Sequence, residues 1–384
     1  MKKFIFILML IIFMIFFTVT VYADEESVGY TQEDIYNSQY ELSGADALID
    51  ELPKEVREQL EDIGVTSPSW QQLNSFSFFD IFSSIINTVQ EKSITPLNCI
   101  VKIMGVIMLV ALIDSVKSTI ASSSLTSVLN SVAVLAVSII LVRPISQTIY
   151  YSANVIKISS DFMLIFVPIM VAIMLAMGQS TQGAGNYTLV MSAGTVVSQI
   201  SENILVPLLN TFMGMSIVSG ISQKVNLNGF CELINKIVKW VLTFTMSVFT
   251  AILTMQSFIS SSADSAGTKA TRFAISSFVP LVGGALSEAY QTVRSCMGML
   301  KSGVGVFAIL ATGTVYLPSI ISCVLWLISI NIAIALADVF NMGQIIKLLK
   351  SVATVINVLI AILLCCMMIF IVSSTIMLMV GGVT

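Results

Sequence analysis

Long apolar stretches dominate the chain from residue 99 onward. They cover roughly 99–118, 126–142, 162–178, 196–220, 238–258, 304–337 and 354–380. A helix needs about 20 apolar residues to cross a hydrocarbon core ~30 Å thick. The pattern therefore predicts an all-α, polytopic integral membrane protein. The 304–337 stretch suffices for two passes interrupted at Pro318, or for one pass plus a half-helix. Residues 179–201 are rich in Gly, Ser, Thr and Gln, and residues 259–301 mix Ser, Gly, bases and apolar runs. Both read as re-entrant or interfacial segments. Backbone of that kind is tolerated at membrane depth only under a cover of protein or water.

Ahead of this body the pattern changes. Lys2 and Lys3 precede an unbroken apolar run from Phe4 to Phe17, and Val21-Tyr22-Ala23 leads into Asp24. That is the layout of a signal peptide over 1–23, cleaved after Ala23; an uncleaved anchor is the other reading. Either way, residues 24–95 form an exported segment. Its first part, 24–46, is polar with little apolar periodicity and is expected to be flexible. One short helix is expected over 47–63, with Pro53 in its first turn. Phe78, Ile81, Phe82, Ile85, Ile86 and Val89 then form one stripe of an amphipathic helix, 78–89. Its place before the first span fits a helix lying in the interface, or one packed on a partner.

The body, 96–384, carries signs of an internal repeat of about 110 residues. Leu125, Val128, Leu129, Val132 and Ala133 share their spacing with Phe230, Leu233, Ile234, Ile237 and Val238. Ile345, Leu348, Leu349, Val352 and Ala353 repeat it again. Phe166-Val167-Pro168-Ile169 and Phe278-Val279-Pro280-Leu281 form a second, agreeing marker. Repeats of this size occur in transporter-like folds; amphipathic patterns also recur by chance in helical membrane proteins.

Composition sharpens the picture. Hydrophobic residues make up 56 % and charged residues 10 %, against about 25 % charge in soluble domains. The charge is unevenly placed. Residues 24–95 hold fifteen acids and three bases, and residues 96–384 hold seven acids and thirteen bases. An acidic head is joined to a mildly basic body. The net charge of −4 excludes a strongly basic nucleic-acid binder. Basic clusters at Lys224–Lys239, Lys269–Lys301 and Lys347–Lys350 would be cytoplasmic by the positive-inside bias. The chain has no histidine, which removes Ser-His-Asp and Cys-His catalysis and histidine-ligated metals. All six cysteines sit in apolar contexts outside the head, so they read as packing thiols rather than a disulfide framework.

Candidate chemistry is sparse. No catalytic, metal or cofactor site is expected. Ser302 to Gly305 reads Ser-Gly-Val-Gly but lacks the Gly-Lys-Ser/Thr ending of a phosphate loop. Glu202 stands beside an apolar run, far from any base in sequence, and is the candidate intramembrane polar residue. Lys102 reads as a snorkelling base, and Asp161 as a helix N-cap. Asp264, Lys269, Arg272, Glu288 and Arg294 form the densest mixed-charge set, an interfacial network or a partner-docking surface. Gly178 to Gly183 and Gly283-Gly284-Ala285 allow close helix approach or a backbone bend.

Residues 260–310 carry a resemblance. Ser260 to Ser265, then Lys269 to Ala289 (KATRFAISSFVPLVGGALSEA) and Cys296 to Ile309 (CMGMLKSGVGVFAI), resemble the stage III sporulation protein AE family. The candidate assembly motif is accordingly Asp264, Lys269, Arg272, Phe278, Val279, Pro280, Gly283, Gly284 and Glu288. The signal peptide, acidic head and polytopic body match as well. The resemblance implies a non-enzymatic component of the mother cell–forespore channel, or feeding apparatus, of endospore formation. It implies residence in the mother-cell membrane around the forespore, multi-pass and in contact with membrane lipid. The implied partners are other stage III A sporulation proteins, including a secretion-type ATPase, ring-forming proteins and a forespore-side protein. It implies no cofactor and no nucleic acid. A secondary transporter or permease with its own substrate pathway is the alternative.

Overall fold

The computed structural model describes residues 32–73, 78–117, 123–179, 185, 187–193, 196, 199, 203–204, 206–221, 229, 232–238, 240–256 and 283–379. Within them the head holds four short helices: α1 (Gln32–Ser43), α2 (Ala47–Asp50), α3 (Lys54–Asp62) and α4 (Trp70–Leu73). The body holds α5 (Phe78–Lys117), α6 (Ser123–Ala176), α7 (Val206–Ile221), α8 (Glu232–Gln256), α9 (Gly283–Val339) and α10 (Gly343–Met379). No strand occurs among the described residues. Five helices, α5, α6, α8, α9 and α10, are long and apolar enough to cross a membrane. The chain is an all-α, multi-pass membrane protein.

The helices are longer than the apolar runs. The separate spans expected over 126–142 and 162–178 lie in the single helix α6, which runs through Pro144 and Pro168. Likewise α9 runs unbroken through Pro318, so the two-pass reading of 304–337 gives way to one continuous helix. The amphipathic stretch 78–89 is the first part of α5 and continues through Pro96 into the span. A proline removes one backbone bond and costs about 3 kcal/mol in an isolated helix. Burial of nearby residues such as Ile100, Ile145, Phe166 and Val315 offsets that here.

Helix ends follow from local chemistry. At the end of α6, Gly178 takes φ +79, which a Cβ would strain. The Gln179 N–H then donates to the Met174 carbonyl at 2.8 Å, a left-handed cap that turns the chain. Asn341, at φ 53, does the same between α9 and α10, with the Met342 N–H on the Ala337 carbonyl at 2.9 Å. That turn folds α9 and α10 into an antiparallel hairpin, the most extensive packing in the molecule. Around it stand α5, α6, α7 and the head. No residue of α9 from 296 to 323 is exposed, and none of α10 from 351 to 378.

The head departs from expectation at its start. Residues 32–43, expected to be flexible, form α1, with Tyr36 and Gln39 buried and Ile35 and Tyr40 half-buried on one face. The single helix expected over 47–63 is two helices, with Pro53 as the N-cap of the second.

Candidate functional site

The head closes its core on α9. Leu48, Leu52, Val56, Leu60, Ile63 and Val65 are buried, and α1, α3 and α4 all pack on α9. The Tyr36 hydroxyl accepts from the Trp70 N–H at 3.0 Å, tying α1 to α4. The Gln39 amide donates to the Val293 carbonyl at 3.3 Å. Lower down, a Cβ on Gly303 would lie 2.7 Å from the Pro68 carbonyl oxygen and 3.0 Å from the Trp70 nitrogen. Only glycine lets head backbone approach that closely. Burial raises the Tyr36 and Tyr40 hydroxyls above the usual tyrosine range; the Trp70 bond partly offsets this at Tyr36, while Asp46 adds to it at Tyr40.

A cleft of about 310 Å³ marks the edge of this contact, between Lys54 and Glu55 of the head, Tyr151 and Asn154 of α6, and Thr314 and Pro318 of α9. The Lys92 ammonium of α5 lies 5.8 Å from the Tyr151 ring centroid and 2.9 Å from Glu91. Ser152 and Ser319 share a buried hydrogen bond at 2.8 Å. These contacts put Lys92, Tyr151, Pro318 and the head's Glu55 at one level of the bundle.

A seam of buried hydroxyls continues from that level between α6, α9 and α10. Ser159, Ser160, Thr312, Tyr316, Ser373 and Ser374 are each at most 1 % exposed. Tyr316 lies beside Ser159 and near Cys366. Among the described residues, the hydroxyls of Thr312, Ser373 and Ser374 find no hydrogen-bond partner. Further along, Lys301 is 3 % exposed and donates to Gln179 Oε1 at 3.3 Å. A buried ammonium is costly without an oxygen partner, and the glutamine beyond the Gly178 turn supplies one.

On the outside, α8 is the least buried of the five spans. Leu233, Ile237, Trp240, Phe244, Val248, Ile252 and Met255 are all exposed on it. The Cys365 thiol meets the Leu242 carbonyl at 3.7 Å, which places α8 beside α10.

The predicted site residues fare unequally. Glu202, Asp264, Lys269, Arg272, Phe278, Val279, Pro280 and the cleavage position Ala23 lie outside the described residues. Gly283 and Gly284 open α9, and Glu288 lies in its first two turns. Asp161 is no N-cap: it sits exposed in the interior of α6, whose helix continues on both sides of it. Lys102 is exposed on α5. Lys301, read as part of a basic cluster outside the membrane spans, is buried in α9. Cys99, Cys296, Cys323, Cys365 and Cys366 are unbridged. The Ser302–Gly305 run, set aside as a phosphate loop, is a packing seam. Gly303 seats the head, and a Cβ on Gly305 would strike Leu378 and crowd Met170 at 3.2 Å. Its two glycines two apart were the visible signal.

Comparison with known proteins gives a consistent result. A family profile described as stage III sporulation protein AE matches residues 66–381. A stage III sporulation protein AE of Bacillus subtilis (strain 168) is similar to this chain, 19 % identical over 287 residues, covering 74 % of this chain and 72 % of its own. No solved structure matches.

Proposed function

The chain belongs to the stage III sporulation protein AE family, and from that premise we propose that it is a non-enzymatic membrane component of the channel between mother cell and forespore. Its role in sporulation follows from the family. The channel assignment, residence in the mother-cell membrane, and the partners are the finer reading: other stage III A proteins, a secretion-type ATPase and ring-forming proteins.

The observation that carries this reading is reach. At 1.5 Å per residue, the 54 residues of α6 and 57 of α9 extend about 80 Å or more. A bilayer core uses about 30 Å of that. Helices of such length, braced by an acidic head, suit a scaffold that stands in a layered envelope. The uncovered apolar stripe of α8 supports neighbours on that side. Energy for any export would come from partners.

Co-purification from sporulating cells tests the assignment. A large complex containing other stage III A proteins and an ATPase is expected; a lone oligomer would overturn it. The buried hydroxyl seam and Lys301 favour the second reading, a transporter with its own pathway. Total loss of sporulation in Glu202→Gln, with normal protein level and assembly, would move the assignment there. Cleavage after Ala23 belongs to the same proposal, and N-terminal sequencing of the membrane form should begin at Asp24.

A further inference from the structure

We infer that lipid surrounds only one half of the helical bundle, from the level of Lys92, Tyr151 and Pro318 to the level of the α9–α10 turn, and that the other half stands out of the bilayer on the side of the acidic head. This goes beyond multi-pass membrane residence and does not depend on the channel assignment.

Four observations converge. The first is length. Laid within ~30 Å of hydrocarbon, a helix as long as α9 would need a tilt of about 70°, and observed tilts reach only about 40°. The second is the head. Glu33, Asp34, Glu41, Glu55, Glu58 and Glu61 are all exposed on it, and carboxylates do not face lipid. Yet the head touches α9 at Val293 and Gly303, and it lines one cleft with Thr314 and Pro318. Those 25 residues of α9 span about 38 Å, so water borders the bundle over that whole depth. A bilayer is planar, and lipid cannot occupy the same depth on the opposite side.

The third observation is the surface. On α5, exposed large apolar side chains run from Ile94 to Ile113 beyond the Glu91–Lys92 pair, with exposed Lys102 among them, and Ile86 and Val89 are exposed before the pair. On α6, Val132, Leu135 and Ile139 are exposed, then Arg143, Tyr150 and Tyr151. Past these come exposed Asn154, Lys157 and Asp161, and nearer the helix end Pro168 and Leu175 are exposed. On α9, Val324, Ile328 and Ile332 are exposed, and no residue from 296 to 323 is. The Glu91–Lys92 pair of α5 and Tyr150 and Tyr151 of α6 thus gather at one level, as charges and tyrosines do at membrane interfaces.

The fourth is thickness. From Pro318 to Asp338 there are twenty residues of α9, about 30 Å, which matches a hydrocarbon core. At the far edge lie exposed Asp338, Lys347 and Lys350 around the turn. Lys347 and Lys350 there agree with the positive-inside bias, whereas Lys157 and Lys301 lie in the half on the side of the head, against the cytoplasmic placement expected for the Lys269–Lys301 cluster.

The test uses full-length protein in vesicles whose heads face outward, treated with a bulky membrane-impermeant maleimide. The parent protein, with its natural cysteines, sets the background. Lys157→Cys and Val293→Cys should label at least tenfold faster than Val101→Cys and Ile328→Cys. Brominated lipid gives a second readout. Ile328→Trp should add quenchable fluorescence, and Val293→Trp should add fluorescence that the lipid does not quench. Protection of both 157 and 293, or quenching of Val293→Trp as deep as that of Ile328→Trp, would overturn the inference.

Discussion

The two halves of α9 are built from similarly apolar sequence yet live in opposite surroundings. From Cys296 to Cys323 no residue is exposed, and the helix is wrapped by α6, α10 and the head. From Val324 to Val339 one side is open and carries Val324, Ile328 and Ile332 four residues apart. Hydropathy cannot separate these halves, because a fully enclosed helix and a lipid-facing helix are both apolar all round. What separates them is the neighbour. The enclosed half gains stability from burial against other parts of the protein, and the open half exchanges protein contacts for equivalent lipid contacts.

That contrast can be broken at several points. The largest effect is expected from Leu48→Ala, which empties a fully buried site in the head. It should weaken head docking by about 2–5 kcal/mol, read as faster protease release of 32–73 in intact vesicles. Gly303→Ala comes next. Its Cβ meets backbone oxygen, which cannot swing aside. Overpacking of about 1–3 kcal/mol exceeds the helix propensity gain of at most about 1 kcal/mol, so the same assay should again show release. Gly313→Ala meets nothing within 4 Å and should be neutral or slightly stabilising there.

A smaller effect is expected with pH. Burial raises Tyr36 and Tyr40 above the usual tyrosine range, so the folded head holds their protons longer than the unfolded one. Their share of head stability is complete below pH 10 and is lost as pH climbs toward the raised folded values. Tyr40→Phe should flatten that alkaline loss in a pH series of head release. The smallest effect belongs to the open half. Ile328→Ala should change the stability of the bundle in lipid by less than about 0.5 kcal/mol. A loss as large as that of Leu48→Ala would show that a protein neighbour covers Ile328.

Much of the fold was legible because membrane crossing demands runs of apolar residues, and the described residues of the runs at 99–118, 304–337 and 354–380 all lie in long helices. Where helices continue was less legible. Ser159-Ser160-Asp161 before an apolar run has the look of a helix start, yet buried serines and an exposed aspartate fit equally well inside a long amphipathic helix. The helix α1 was hidden for a different reason. Its buried face is Tyr36 and Gln39, flanked by Ile35 and Tyr40, too polar to register as periodic. It is helical because α9 receives that face, and nothing local reveals a surface so distant in the chain. The site was legible only in outline. The Gly303–Gly305 pair was noticed for phosphate chemistry, whereas its meaning is steric.

The hydrogen bond from Gln39 to Val293 joins residues 254 apart. A ribosome adding 5–20 residues per second needs about 13–50 s to make that interval. Throughout it the head is already synthesised, and the α9 surface that completes its core does not yet exist. The buried Leu60 of α3, a helix that packs on α9, must wait with no partner there. The acidic surface of the head then has a duty during biogenesis, keeping a half-finished core soluble until the body arrives to close it.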